Sequence, residues 1–236
     1  MTKGPLAAHW GKWTLGKAHA GTFAFLHAEL ENAGTATWGG TIFLSYHWLD
    51  HRDNPIVWDG DRTPLPVVAP GERIAVEARV RAPIPPGAYR FAPDLVVEHR
   101  AWFSELGSGF LSGEVEVLPR EGSRRVELPD GVEPAPDWEE RVAAAHAEGY
   151  GVVAGSIRWQ GGLGRPRPKA LAAYEPGTGR VAGFSHPLIC PSVLGGIELE
   201  RLPDIAGLPA YTAPAGEPWI YDGRVVLWAR PPKRRA

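Results

Sequence analysis

The sequence predicts a mainly β protein, an antiparallel β-sandwich followed by a small α+β domain. Three observations predict it. Between residues 20 and 118, short stretches place hydrophobic residues at every second position. The 29 Gly and 24 Pro are spread as turn punctuation instead of forming a tract. After residue 137 the pattern switches to a helical period. A chain of 236 residues is long enough for two cores. The expected division is a sandwich over 1–119, a polar linker over 120–136 and the α+β domain over 137–236.

The strands follow in order. In TFAFLHAELEN, residues 22–32, Ala24, Leu26, Ala28 and Leu30 share one side, while His27, Glu29 and Glu31 take the other. The turn NAGTATW ends this strand. TIFLSYHWLD then alternates Ile42, Leu44, Tyr46 and Trp48 against Phe43, Ser45, His47 and Leu49, and PIVW at 55–58 is short enough for an added edge strand. APGE at 69–72 is a tight turn, after which Ile74, Val76, Ala78 and Val80 alternate with Arg73, Glu77, Arg79 and Arg81. A Pro-rich corner, PIPPG, leads into AYRFAPDLVVE, and GEVEVLP supplies the last strand. About seven strands without a helix suit two packed sheets.

REGSRRVELPDGVEPAPD, residues 120–137, is polar and aperiodic, hence the linker reading. Asp137 with Glu140 forms the pattern of a capping box, Val142, Ala145 and His146 follow on one helical face, and Gly149 stops the helix. YGVVAGSIRW is a buried strand, GGLGRPRP a turn, and ALAAY and GIELERL are further strands. Asp222-Gly223 predicts a hairpin within residues 219–230.

Hydrophobic residues at 44% and charged residues at 22% place the chain among globular proteins. A net charge of −2 gives no general attraction to nucleic acid, and PPKRRA at the C-terminus reads as a solvated tail. No apolar run is long enough to insert in a membrane, and the N-terminus lacks the pattern of a secretory signal. Cys190 is the sole cysteine, which fits a reducing compartment, so a cytoplasmic location is expected.

Residues Asn32-Ala33-Gly34, Trp38, SYHW at 45–48, Leu65-Pro66, APGE, PPGAYRF at 85–91, DLV at 94–96 and AWF at 101–103 together carry a resemblance. Over about 20–118 the chain resembles the immunoglobulin-like, four-tryptophan β-sandwich domain. It is also similar to accessory sandwich modules of bacterial glycosyltransferases and surface-polysaccharide proteins. The resemblance implies a non-catalytic binding or spacer module whose ligand is a carbohydrate or a protein. It brings no catalytic residue and no cofactor. Residues 137–236 resemble no family.

Residues 45–62, SYHWLDHRDNPIVWDGDR, carry enough His and Asp for a metal, but Asp50, His51 and Asp53 sit where the strand must turn, and turn chemistry explains them. Ser185, His186, Cys190 and Ser192 are close in sequence, yet Leu188, Ile189 and Val193 make this stretch read as core. VVAGS lacks the G-x-S-x-G elbow, and GGLGRP lacks the Lys and helix start of a phosphate loop. Asp94 with Glu98, or Asp59 with Asp61, are carboxylate pairs whose separation in space the sequence leaves open.

A glycan platform is the sharpest site expectation. Sugar faces stack on indoles while nearby polar groups bind hydroxyls, and Trp48, Trp58 and Trp102, with His47, Asp59 and Arg100, supply both. The competing reading puts Trp38, Trp48 and Trp102 in the core, leaving Trp58 exposed on the edge strand. Trp219, Tyr221 and Arg224 are the ligand candidates of the second domain. The expected function is non-catalytic recognition. An enzyme with its centre in the second domain or between domains is the rival, and an assembly protein pairing through edge strands a third.

Overall fold

The computed structural model describes residues 4–121, 132–159, 172–175, 180–183, 200–205, 208–212 and 216–229, with backbone alone for 132, 154–159, the four strands between 172 and 212, and residues 221, 227 and 229. The protein is mainly β. It divides into two compact units, Met1–Leu118 and Pro119–Ala236. Among the described residues no helix is long and apolar enough to cross a membrane.

Two sheets build the first unit. One holds β1 (Ala8–Leu15), β3 (Phe23–Asn32) and β7 (Arg73–Arg81) in the order β1-β3-β7. The other runs β2 (Ala18–His19), β10 (Gly113–Leu118), β8 (Gly87–Val97), β4 (Ile42–Leu49) and β5 (Pro55–Val57), with β6 (Thr63–Pro64) on β4 and β9 (Ala101–Trp102) on β8. The described pairings are antiparallel except the short β2–β10 contact, which is parallel. Leu26, Leu30, Leu44, Trp48, Val80, Phe91 and Leu95 fill the space between the sheets. Each large apolar side chain removed from water contributes about 2 kcal/mol, which makes this layer the main source of stability. Trp48 also donates its indole N–H to the Arg81 carbonyl at 2.9 Å, so its one polar atom is satisfied.

The alternation expected for β3 and β7 is present in their burial. Strand β1 has no counterpart in the expectation, because a break in pairing between Trp10 and Trp13 interrupts its period. Strand β4 differs more. Ser45, His47 and Leu49, on the opposite side of the expected alternation, are buried along with Ile42, Leu44, Tyr46 and Trp48. The segment after β5 folds back over this face, and a turn of π-helix at Ser104–Ser108 reaches it from the other side.

In the second unit α1 (Trp138–Ala147) buries Trp138, Val142 and His146, the first two in a cluster with Val153, Val225 and Val226. The predicted capping box does not form. Asp137 makes no side-chain cap; its carboxylate accepts from Arg141 Nε at 2.6 Å, since a charged donor outcompetes a neutral N–H. Gly149, at φ 116°, ends the helix as expected.

The three-stranded sheet β11 (Val132–Pro134), β17 (Trp219–Ala229), β12 (Val152–Trp159) corrects two expectations. Val132–Pro134 belongs to a sheet instead of a linker. Arg120, at the start of that segment, is also held inside the second unit: its guanidinium pairs with Glu217 and donates to the Gly149 carbonyl at 3.0 Å. Residues 219–229 form one strand instead of a hairpin, parallel to β12, with a bulge placing Asp222–Val225 against Gly155. Asp222 accepts the Arg224 N–H at 2.9 Å, so the turn-forming carboxylate shapes a bulge because β12 pairs with the chain on both sides of it. A second sheet orders β13 (Ala172–Glu175), β14 (Arg180–Gly183), β16 (Leu208–Thr212) and β15 (Glu200–Ile205).

Candidate functional site

The outer face of β4 and β8 carries the densest polar and aromatic cluster among the described residues. His47, fully buried, is at its centre. The Trp58 ring lies over the imidazole at 4.1 Å with 24° between planes, and Trp102 meets it nearly edge-on at 4.3 Å. His47 Nδ1 is hydrogen-bonded to the Trp58 carbonyl. A carbonyl only accepts, so Nδ1 carries the hydrogen. Nε2 faces Asp94 Oδ2 at 3.4 Å, with both side chains out of water.

Asp94 is the hub of the remaining bonds. Its carboxylate accepts the Leu95 N–H at 2.7 Å, the Ser104 N–H at 3.3 Å and the Ser104 hydroxyl at 2.5 Å. The chain of contacts therefore runs Ser104, Asp94, His47, with the carboxylate in the middle. In a hydroxyl nucleophile the imidazole must touch the hydroxyl to take its proton. Here that hydroxyl gives its hydrogen to Asp94, and both imidazole nitrogens have partners. Chemically this is a brace that fixes Trp58 and the 104–108 turn to the sheet.

Arg62 holds the rim. It bonds Glu98 at 2.9 Å, Asp59 at 2.5 Å, the Gly60 carbonyl at 2.7 Å and the Ser45 hydroxyl at 3.2 Å, and its Cζ lies 5.1 Å from the Trp102 ring centroid. Burial alone would lower its pKa, but the bonds to Glu98 and Asp59 outweigh that and raise it. Gly60 lets this loop lie close: a Cβ there would meet the Tyr46 ring and carbonyl at 2.7 Å. Tyr46 itself has a raised pKa through burial.

Above this brace two rings reach solvent. Trp58 is 41% exposed and Phe110 44%. Their planes differ by 8°, and their centroids are 6.5 Å apart. Phe110 stands in a turn shaped by Gly107 and Gly109, at φ 92° and 80°, which strand periodicity does not register.

Of the predicted site residues, the structure gathers His47, Trp58, Asp59 and Trp102 in one place. His47 and Trp102 are buried, so they support the surface instead of forming it. Arg100 lies exposed in the turn joining β8 and β9. Asp50, His51 and Asp53 occupy the turn after β4, where Asp50 accepts N–H groups of Arg52 and Asn54, each at 2.8 Å. Hydrogen bonds from Asn54 lower the Asp50 pKa. Among the described residues no three His, Cys, Asp or Glu gather as a metal-binding group. Sequence reasoning missed Phe110, Arg62 and Ser104 and did not connect Asp94 to His47.

In the second unit Trp219 is exposed at the start of β17, and the Arg224 guanidinium is held by Asp222 at 2.7 Å. That bond lowers the Asp222 pKa. The side chain of Tyr221, and residues 185–192 with Cys190 and the GGLGRP segment, lie outside the described residues.

No protein-family model matches this sequence, and no curated protein does either. Among solved structures, a Bordetella pertussis protein provisionally called ApaA is similar at 17% identity over 49% of this chain and 91% of that one, with a TM-score of 0.25. At that level neither fold nor function transfers, and the residues above carry the functional reading.

Proposed function

We propose that the first unit is a non-catalytic recognition module, immunoglobulin-like in kind, that binds carbohydrate on the Trp58–Phe110 surface, in a protein of the cytoplasm. One observation carries the reading: two exposed aromatic rings lie within 8° of parallel on a rigid brace. Flat apolar sugar faces stack on such rings, and Asp59, with its carboxylate largely in water, accepts hydroxyl hydrogens beside them. The arrangement of Ser104, Asp94 and His47 supports binding over nucleophilic chemistry, as its hydrogen bonds are consumed in holding Trp58.

Exposed Ile56 and Leu106 favour a protein ligand as the second reading, since they extend the apolar surface on both contributing segments. A glycan array followed by tryptophan-fluorescence titration of the best oligosaccharide tests the proposal. Saturable quenching, lost in Trp58→Ala, is the expected result. Equal binding by that variant overturns the assignment to this surface.

A further inference from the structure

Strand β7 is an edge of its sheet, with β3 on one side and no strand on the other among the described residues. Along an antiparallel strand the backbone groups alternate, one residue bonding its neighbour and the next facing away. Bonds at the two ends of β7 fix which set faces away. The Glu72 carbonyl accepts the Asn32 N–H and the Ala82 N–H donates to the Thr22 carbonyl, both at 2.9 Å, so even-numbered residues face β3. Arg81 faces the other way: its N–H donates to the Tyr46 hydroxyl at 3.0 Å, and its carbonyl accepts the Trp48 indole N–H at 2.9 Å. Pairing with β3 runs from Arg73 to Arg81 without a bulge, so the N–H and C=O of Arg73, Ala75, Glu77 and Arg79 all point out of the sheet edge.

A row of such groups is a template for another strand. Proteins shield edges with Pro, with a bulge or with charge, and β7 has neither Pro nor bulge, so its charges decide what it accepts. The outward side chains are Arg73, Ala75, Glu77, Arg79 and Arg81. When β7 pairs with a second β7 about a two-fold axis, the centre chosen sets which charges meet. Centred on Val76, Arg73 meets the partner's Arg79. Centred on Glu77, that carboxylate meets its own copy and Arg73 meets the partner's Arg81. Centred on Ala78, Glu77 meets the partner's Arg79, but Tyr46 and Trp48 already hold the backbone of Arg81, where the partner's Ala75 would pair. Centred on Ala75, Arg73 lies opposite the partner's Glu77 on both sides of the axis, with only the two Ala75 methyls between.

Both charged groups have capacity to spare. Arg73 bonds Glu31 through Nε and Glu77 bonds His27 through Oε2, which leaves the terminal nitrogens of one and Oε1 of the other without a partner among the described residues. Arg73 is also 82% exposed. On the inner face the same register sets half-buried Ile74 against the partner's Val76, covering apolar surface that β7 leaves partly open. We infer that β7 is a self-association edge: two copies of this chain pair antiparallel about Ala75 and join their three-stranded sheets into one continuous sheet. The contact is small, which makes the association weak and concentration-dependent. It uses the other sheet from Trp58 and stands independently of the carbohydrate proposal.

Amide exchange of the full chain, followed by NMR at about 50 μM and about 1 mM, tests it. The Arg73, Ala75 and Glu77 amides should slow at least about tenfold at the higher concentration, while those of Ile74, Val76 and Ala78, bonded to β3, are protected at both. Ala75→Cys in a Cys190→Ser background should oxidise to a covalent dimer, since opposed bonded residues lie about 5.5 Å apart at Cα. Arg79→Cys in that background should not, because its own copy lies about 27 Å away along the strand. In sedimentation, Arg73→Glu and Glu77→Arg should each weaken association about tenfold, and the two together should restore it. A chain that stays monomeric at the higher concentration, exchange at 73, 75 and 77 that ignores concentration, equal cross-linking at 75 and 79, or a double charge reversal no better than either single one overturns the inference.

Discussion

His47 is hydrogen-bonded through Nδ1 to the carbonyl of Trp58 and lies beneath the indole of the same residue at 4.1 Å, so one side chain fixes both the backbone and the ring of the other. His47→Ala removes both supports and leaves the Asp94 carboxylate buried beside a void. A cavity of that size, together with a buried carboxylate that has lost one of its partners, costs about 3 kcal/mol. Urea unfolding should show that loss in its midpoint, and Trp58 emission should shift to the red. An unchanged midpoint would mean that the brace contributes nothing.

Trp58 and Phe110 should behave in the opposite way. Both are more than two-fifths exposed, so truncating either to Ala should cost about 2 kcal/mol in stability, less than His47→Ala. Each should weaken oligosaccharide binding roughly tenfold, the value of about one stacking contact. Isothermal titration beside thermal unfolding separates the two effects.

Gly60→Ala is expected to be far more damaging than Gly40→Ala. An added methyl at 60 meets Tyr46 at 2.7 Å, whereas position 40 has open space and only its positive φ of 37° to resist substitution. Overpacking at the first should cost about 2 kcal/mol, and strain at the second about 1 kcal/mol. Differential scanning calorimetry of the pair decides this.

Asp222 supplies a pH test for the bulge in β17. The Arg224 side chain lowers the folded pKa of its carboxyl below the ordinary 3.8. A carboxyl depressed in the folded state contributes stability that is present above its unfolded value and lost as pH falls through the folded one. Asp222→Asn should therefore be less stable than the parent at pH 7, with the difference closing below about pH 4. Melting temperatures measured from pH 7 to pH 2 would show it. A constant difference across that range would contradict the bond.

The sheets of the first unit were legible because β3 and β7 each have one apolar face, and such faces imprint a period of two on the sequence. The site was legible in part. Trp58 stood out because it follows a short edge strand, and Asp50 with Asp53 because their turn is local. The partnership of His47 with Asp94 was not legible, since it spans 47 residues of chain and depends on how β4 registers against β8. Phe110 was hidden for a different reason, as it hangs in a glycine-shaped turn that has no period. The Asp222-Gly223 hairpin failed because its local preference was met by a bulge once β12 paired with both flanks.

Strand β4 has tightly packed groups on both sides, aliphatic and indole towards the sandwich, imidazole and hydroxyl towards its cover. Sliding it by one position against β8 would exchange those two sets, driving His47 among leucines while Trp48 displaced it from Asp94. Most half-wet strands are penalised for such an error once; this one is penalised twice. Misaligned intermediates should accordingly be scarce during assembly of this sheet, and the alignment that presents Trp58 is the one that chain threading selects.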